Sequence, residues 1–371
     1  MSLSGVRICD ILVTGDFPQA NRTVNHWLHM IRSMLKWLGY LLLFGIALLM
    51  IWGVWMRFRP PLAFLDKNQS ITEVLQDSTY QVHLAEEDRL YRDVRLGTTT
   101  SDTIRCTVSL PPDVPEKGLP VLLILGGLEV GRQSLKYIPY HGKNILVAYQ
   151  YPYSPVYWYR SSPLSQIPAI QSAALSVPSQ ITALHEWIRR QPWAGKNSVN
   201  LLGYSFGAMF LPAICHLSQE QSIQFGPVVI AYGGADLYRL FHTNLDFIEP
   251  VRSVVAVLME TVIYPLEPLL HLPHMSGEFF AVNGLYDDQI PEESWRLLHR
   301  HLPEPKTLRI LQEGHMHPKR RELTLRLVRM SQEWLGDQGT INPIPQYREA
   351  DTTEQSFTAE TRSTFGFPKG E

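Results

Sequence analysis

The sequence contains few cysteines, little net charge and no basic stripe, and each absence excludes a class of protein. Its three cysteines, Cys9, Cys106 and Cys215, are too few and too scattered for a disulfide framework or a zinc site. The formal net charge is −2, and aromatic residues are not interleaved with clusters of Lys and Arg. Nucleic acid is therefore not an expected partner. No internal repeat is present.

The length and the composition fit one globular domain with additions at both ends. Of the 371 residues, 45% are hydrophobic, so the chain can bury a large core. Without its two ends, the chain leaves roughly 270 residues, which is a normal size for a single α/β domain.

An uncharged hydrophobic run extends from Trp37 to Met56. Its length of about 20 residues matches the hydrocarbon core of a bilayer when the run is helical, and we expect a transmembrane helix. Aromatic residues lie towards both of its ends, as at membrane interfaces. A buried core helix and a cleaved signal peptide are the alternatives. The exit sequence WMRFRPP is bulky and lacks a small-x-small cleavage site, which favours a retained anchor.

Residues 1–36 are expected to form an N-terminal tail. Met30 and Met34 lie directly before the hydrophobic run, so the initiator is open between these two and Met1. Basic residues on the two sides of the run nearly balance, which leaves the orientation weakly determined. We expect a single-pass protein with its folded domain on the exported side, periplasmic or extracellular.

The rest of the chain is expected to comprise a linker at 57–79, one domain at 80–336 and a disordered tail at 337–371. Alternation between Tyr80 and Leu110 predicts early antiparallel strands. Six short apolar runs then alternate with helical patterns, which predicts a mostly parallel sheet flanked by helices. The predicted strands are Val121–Leu125, Ile145–Tyr149, Val199–Leu202, Val228–Tyr232, Phe279–Val282 and Leu308–Leu311. The predicted helices are Gln180–Arg190, Phe206–Gln219, Glu292–His301 and Lys319–Leu335.

The segment Gly203-Tyr204-Ser205-Phe206-Gly207 has the pattern G-x-S-x-G between a buried strand and an apolar helix. This context is that of a nucleophile elbow, in which a strained turn exposes the serine at a helix N-terminus. We therefore predict that Ser205 is a nucleophile.

With this motif the chain resembles the α/β-hydrolase superfamily of serine hydrolases over residues 84–335. The stretch LILGGLEVGRQSLKYIP also resembles the dienelactone-hydrolase and acyl-esterase side of that superfamily. The resemblance implies the order Ser, Asp or Glu, then His. The loop EFFAVNGLYDDQIPEE resembles the family's G-x-x-D-x-x-x-P, which gives Asp287 as the acid. Asp288 and Asp236 are the alternates, the latter because some relatives take their acid after the preceding strand.

The resemblance also implies a base after one more strand. LRILQEGHMHP supplies the strand and a Gly-His pair, so His315 is the expected base and His317 its alternate. The isolated pair of histidines has no further metal ligands nearby, and we expect neither a metal nor an organic cofactor.

An oxyanion hole needs two backbone N–H donors. The resemblance implies Phe206 as one donor and the loop containing Gly126-Gly127-Leu128-Glu129 as the source of the other. Leu128 is preferred and Gly127 is the alternate. The histidine that many relatives carry in this loop is missing, and an ordinary tight turn would also explain the two glycines.

An apolar insertion at 236–276 occupies the position of the family's lid. Together with the anchor it favours a carboxylic ester, either small or lipid-like, as the substrate. Two other functions stay open: another acyl-transfer enzyme (a peptidase, a thioesterase or an acyltransferase), or a non-catalytic membrane-bound interaction protein that has this fold. The sequence does not indicate the oligomeric state.

Overall fold

The computed structural model describes residues 18–84, 87–100, 102–127, 131–152, 166–317 and 319–345. The chain divides into two units, Met1–Phe58 and Arg59–Glu371. In the first unit, residues Pro18–Phe58 form one helix, α1. Its segment His29–Phe58 has a mean hydropathy of 2.1 and is long and apolar enough to cross a membrane by length and composition.

The second unit contains a nine-stranded sheet in the order β1-β2-β3-β5-β4-β6-β7-β8-β9. Strands β1, β2, β3 and β5 pair antiparallel, and the strands from β5 through β4 to β9 pair parallel. The strands are β1 (Ile71–Leu84), β2 (Glu87–Thr98), β3 (Thr103–Leu110), β4 (Leu119–Leu125), β5 (Ile145–Gln150), β6 (Ala194–Tyr204), β7 (Val228–Ala231), β8 (Phe279–Gly284) and β9 (Lys306–Leu311). The predicted parallel strands are confirmed.

Helices cover both faces of the sheet. They are α2 (Arg132–Leu135), α3 (Ile167–Arg189), α4 (Leu211–Glu220), α5 (Leu237–Asn244), α6 (Val251–Ile263), α7 (Pro268–His271), α8 (Glu292–His301) and α9 (Arg321–Asp337). Residues of α3, α4 and α8 share one buried cluster with the sheet, and residues of α2 and α9 share the other. Strand β8 is buried at every position, which explains its continuous apolar run.

The insertion between β7 and β8 is helical, as predicted, and contains α5, α6 and α7. Its segment Val251–His274, with a mean hydropathy of 1.5, also passes the length and composition test for a membrane span. However, this segment is divided into α6, α7 and short 3-10 helices, and 39% of its apolar window is buried. A broken and partly buried segment of this kind is typical of packing on a folded domain.

Three boundaries differ from those expected. Strand β1 begins at Ile71, within the expected linker, because it is an edge strand with mostly exposed polar residues and has no clear alternation. Helix α3 begins at Ile167, well before the expected Gln180, and continues through Pro178.

The end of the domain also lies later than expected. Ile341 and Ile344 are buried, and the Asn342 N–H donates to Asn144 Oδ1 at 2.7 Å. These contacts join residues far apart in the chain, so the local composition did not indicate them. The rest of the expected disordered tail, residues 346–371, lies outside the described residues.

Candidate active site

Ser205 lies on a strained turn at the carboxyl end of β6. Its φ angle is 50°, in the left-handed region that residues other than glycine rarely adopt. A 3-10 helix, Ser205–Phe210, begins at this residue and continues into α4. The local structure is therefore the strand, turn and helix that the motif predicts, with the serine at the start of the helical segment.

The two glycines of the motif allow the strand and the helix to pack closely. A Cβ atom at Gly207 would overlap the carbonyl oxygen of Leu125 at the end of β4. A Cβ at Gly203 would lie 2.7 Å from Leu211 Cδ1. Because no side chain fits at either position, the G-x-S-x-G spacing follows from packing around the serine.

The serine, a histidine and an aspartate form a hydrogen-bonded line. The distance from Ser205 Oγ to His315 Nε2 is 2.8 Å, and His315 Nδ1 lies 2.8 Å from Asp287 Oδ2. A carboxylate only accepts hydrogen bonds, so the proton of the neutral imidazole is on Nδ1. The lone pair of Nε2 then faces the serine hydroxyl, and it can accept the hydroxyl proton.

The aspartate is held rigidly and away from solvent. The side chain of Asp287 has no exposed surface. Its Oδ1 accepts from the N–H groups of Gln289 and Ile290 at 2.8 and 2.9 Å. The N–H of Tyr286 donates to the carbonyl of Glu313 at 2.9 Å, which ties the loop after β8 to the loop after β9. Asp287 is therefore oriented by its own loop and lies beside the histidine loop.

The alternate residues have other surroundings. Asp288 is exposed. Asp236 caps α5 by accepting from the N–H of Arg239 at 3.1 Å, and it also pairs with that guanidinium. His317 Nδ1 accepts from the N–H of Lys319 at 3.0 Å. The structure therefore brings together Ser205 with the preferred acid and base.

The expected oxyanion donors lie on two different elements. Phe206 is buried in the first turn after the serine. Gly127 follows β4, and a Cβ atom there would lie 3.8 Å from Ser205 Oγ. Leu128, the preferred second donor, lies outside the described residues. The loop after β4 therefore reaches the serine through Gly127.

Two tyrosines contact this site. Tyr151 lies in the aromatic segment YQYPYSPVYWYR (149–160), which the sequence predicts to line the mouth of the site, whereas nothing in the sequence indicated Tyr232. Tyr232, at the end of β7, is buried and has a φ angle of 57°. Its ring lies edge-on to His315 at 5.4 Å between centroids. Burial, and secondarily the Asp287 carboxylate, raise the pKa of Tyr232, so its phenol stays neutral. Tyr151 lies directly after β5, and its hydroxyl donates to the carbonyl of Gly126. Each tyrosine directly follows a parallel strand, and this position in the sequence could have indicated that its side chain lies near the site.

Within the described ranges, no group of three or more His, Cys, Asp or Glu side chains could hold a metal ion. A serine hydrogen-bonded to a histidine that a carboxylate orients is the arrangement for nucleophilic attack with general-base assistance.

No protein-family model matches this sequence, and no curated protein matches it. Solved structures do match. Acetyl xylan esterase 1 from Thermoanaerobacterium sp. JW/SL YS485 superposes with a TM-score of 0.51 at 15% identity, over 72% of this chain and 91% of that chain. An acetyl xylan esterase from Paenibacillus sp. R4 gives a TM-score of 0.51 at 13% identity, over 70% of this chain and 89% of that chain.

These likenesses, together with the sheet order and the helices on both faces, define the class of fold. The chain has the α/β-hydrolase fold, as its motifs predicted. At such low sequence identity the likeness concerns the fold, and the function has to be argued from the site.

Proposed function

We propose that this chain is a serine hydrolase that cleaves carboxylic esters through Ser205, His315 and Asp287. The observation that carries the proposal is the continuous line of hydrogen bonds from Ser205 Oγ through the imidazole to a buried carboxylate. The two acetyl xylan esterases that superpose on the chain are ester hydrolases by name, which supports the same class of reaction.

In the proposed mechanism, His315 Nε2 removes the hydroxyl proton as Ser205 Oγ attacks the ester carbonyl carbon. Asp287 holds the imidazole in the required tautomer and stabilises the imidazolium that forms. Collapse of the tetrahedral intermediate breaks the bond to the alcohol oxygen, and the imidazolium returns its proton to that oxygen. Water, activated by the same histidine, then hydrolyses the acyl-enzyme and releases the carboxylic acid.

Two backbone N–H groups would stabilise the oxyanion of the intermediate. The donor from Phe206 lies at the start of the helical segment, where the orphan N–H groups of a helix favour negative charge. The second donor would come from the loop after β4, at Leu128 or Gly127. The proximity of Gly127 to the serine supports this assignment.

We infer a small or apolar acyl ester as the substrate, with the insertion 236–276 as a lid. Helix α6 and the turn before it carry apolar side chains that are at least 40% exposed in this structure, namely Ile248, Val251, Val254, Val257 and Leu258. Apolar surface of this kind fits an element that contacts an acyl group or a lipid. The names of the acetyl esterases support the small-ester end of this range.

The first test is labelling of the full chain in detergent with a fluorescent fluorophosphonate, read on a gel. We expect labelling of the wild type and its loss in Ser205→Ala. Ser276→Ala is the matched control because Ser276 is exposed and bonds only to Gln219 in the described part of the chain, at 2.8 Å. That variant should label as the wild type does. A folded wild type that takes no label would exclude an activated serine.

We also propose that α1 anchors the chain as a single transmembrane helix and that the folded unit lies on the exported side. The mean hydropathy of 2.1 and the low burial of His29–Phe58 support a span. A signal peptide passes the same test, so the experiment has to separate the two.

The full chain should stay in the membrane pellet during alkaline carbonate extraction, whereas a chain that starts at Arg59 should be released. The mass of the full chain should include α1, and a shortened mass would show cleavage instead. Protease added to sealed right-side-out cells should digest the folded unit if it is exported. Protection in such cells would reverse the proposed orientation.

A further inference from the structure

Tyr151 joins the two halves of the proposed oxyanion hole. It follows β5 directly, and only 4% of its surface is exposed. Its hydroxyl donates to the carbonyl oxygen of Gly126 at 2.8 Å. Its ring packs edge-on against Phe206, with 5.2 Å between the ring centroids. One side chain therefore contacts both the residue after the serine and the loop after β4.

The loop after β4 needs such an anchor because it starts with two glycines. Gly126 and Gly127 have no side chains that could fix their backbone, and glycine has wide conformational freedom. A Cβ atom at Gly207 would lie 2.8 Å from the Gly126 oxygen. The Gly126 carbonyl therefore lies against the last glycine of the G-x-S-x-G motif. The Tyr151 hydroxyl supplies the hydrogen bond that fixes its direction.

Fixing this carbonyl also fixes the neighbouring N–H. The carbonyl of Gly126 and the N–H of Gly127 belong to one planar trans peptide, in which they point in opposite directions. Because Gly127 lies beside Ser205 Oγ, a rotation of this peptide would move backbone groups next to the nucleophile. Preorganised donors stabilise a transition state because they need not reorient during the reaction.

We propose that Tyr151 is a positioning residue for the oxyanion hole, which acts through the Gly126–Gly127 peptide and through Phe206. The inference rests on the proposed esterase function. Tyr151 does not transfer a proton or contact the ester; it sets the geometry of the groups that bind the oxyanion. Its effect therefore belongs to the transition state and not to substrate binding.

The chain offers a matched control in Tyr149, two residues earlier. Its hydroxyl is equally buried and donates to Gln180 Oε1 at 2.6 Å, and its ring packs edge-on to Tyr151 at 5.3 Å. Tyr149→Phe and Tyr151→Phe each remove one buried hydroxyl and keep the ring. Only the second change removes the hydrogen bond to the loop after β4.

The experiment compares the two variants with the full-length wild type, with p-nitrophenyl acetate as substrate and phenylboronic acid as a mimic of the tetrahedral intermediate. For Tyr151→Phe we expect kcat to fall about tenfold and the inhibition constant of the boronic acid to rise about tenfold, with KM within about twofold. Tyr149→Phe should keep kcat and boronate affinity, although it loses thermal stability.

An equal effect of both variants on kcat, or a rise of KM alone in Tyr151→Phe, would overturn the positioning role. Unfolding of Tyr151→Phe under conditions where Tyr149→Phe is folded would also overturn it, because the hydroxyl would then support the fold and not the site. Absence of both hydrolysis and fluorophosphonate labelling in the wild type would instead overturn the proposed function, and the inference with it.

Discussion

At the scale of single residues, the site depends on which of two adjacent carboxylates reaches the histidine. The side chain of Asp287 has no exposed surface and accepts two backbone N–H groups besides the imidazole, whereas Asp288 is exposed. A carboxylate that is already oriented loses little entropy when it stabilises the imidazolium. The two neighbours therefore differ in role although they are chemically identical.

This difference gives a residue-scale prediction. Asp287→Asn should lower kcat by about 10⁴-fold, because an amide can hold the imidazole in the wrong tautomer. Asp288→Asn should leave kcat within about twofold of the wild type. Hydrolysis of p-nitrophenyl acetate by the two variants and the wild type provides the measurement. A large loss in Asp288→Asn with little loss in Asp287→Asn would exchange the two assignments.

At the scale of elements, a buried carboxylate, that of Glu267, ties the start of the insertion to its later part. Glu267 accepts from the N–H groups of Asp236 and Leu237, at the start of the insertion, at 2.9 and 2.7 Å. It also accepts from the N–H of Leu269 at 3.1 Å, near its other end. The side chain thus joins the start of the insertion, next to β7, to the first turn of α7.

Glu267→Gln should therefore destabilise the folded unit by about 2 kcal/mol, because the amide NH2 faces a backbone donor that it cannot satisfy. We expect a lower Tm of the full chain in detergent. Glu186→Gln is the control, since the Glu186 side chain is partly exposed and pairs with Arg190 at 3.6 Å. Its effect should stay within about 0.5 kcal/mol. Equal shifts of Tm in both variants would show that Glu267 does not fasten the insertion.

At the scale of the whole molecule, the order of the parallel strands brings the residues of the site to one edge of the sheet. The chain passes from β4 to β5 on one side and then returns to β6 on the other side of β4. The carboxyl ends of parallel strands meet at one edge, and such a change of direction opens a crevice there. Gly126, Ser205, Asp287 and His315 all follow strands of this parallel part, so one edge receives every group of the proposed mechanism.

The folded unit also contains buried neutral histidines on several elements. Burial lowers the pKa of His141 to about 3 and that of His271 to about 4. In α8, burial, assisted by Lys306 and Arg296, lowers the pKa of His299 to about 4. Histidine in the unfolded chain titrates near pH 6.5. The unfolded state therefore binds protons below that pH while the folded state does not.

The resulting prediction concerns stability against pH. A depressed histidine pKa in the folded state means that stability is complete above about pH 6.5 and decreases as the pH falls towards 4, by about 1 kcal/mol per pH unit for each such histidine. His299→Gln keeps a donor for Asn283 Oδ1, which His299 Nε2 contacts at 2.9 Å, but it does not titrate.

Unfolding of the full chain in detergent at pH 7.5, 6 and 5 provides the test. The free energy of unfolding should decrease less steeply with falling pH in His299→Gln than in the wild type. Above about pH 6.5 the difference in free energy between the two proteins should not depend on pH. Parallel pH profiles of the two proteins would exclude the titration of His299 as a source of acid lability.

The sequence by itself determined the features that depend on neighbouring residues. The turn at Ser205 needs small residues at fixed spacing between a strand and a helix, and Gly203 and Gly207 meet this need locally. Continuous apolar runs determined the parallel strands, because a strand buried on both faces has no polar side. The class of fold and the apolar N-terminal helix were predictable for the same reason.

Only the tertiary structure decided what depends on residues far apart in the chain. The motif spacing favoured Asp287 over the adjacent Asp288, but only the path of their loop in the folded chain turns Asp287 towards His315. Edge strand β1 lacks a periodic pattern, since it is supported on one side only by β2. The bond from Tyr151 to Gly126 joins the ends of two neighbouring parallel strands. Such contacts depend on sheet order, which local spacing does not encode, so the folded chain alone reveals them.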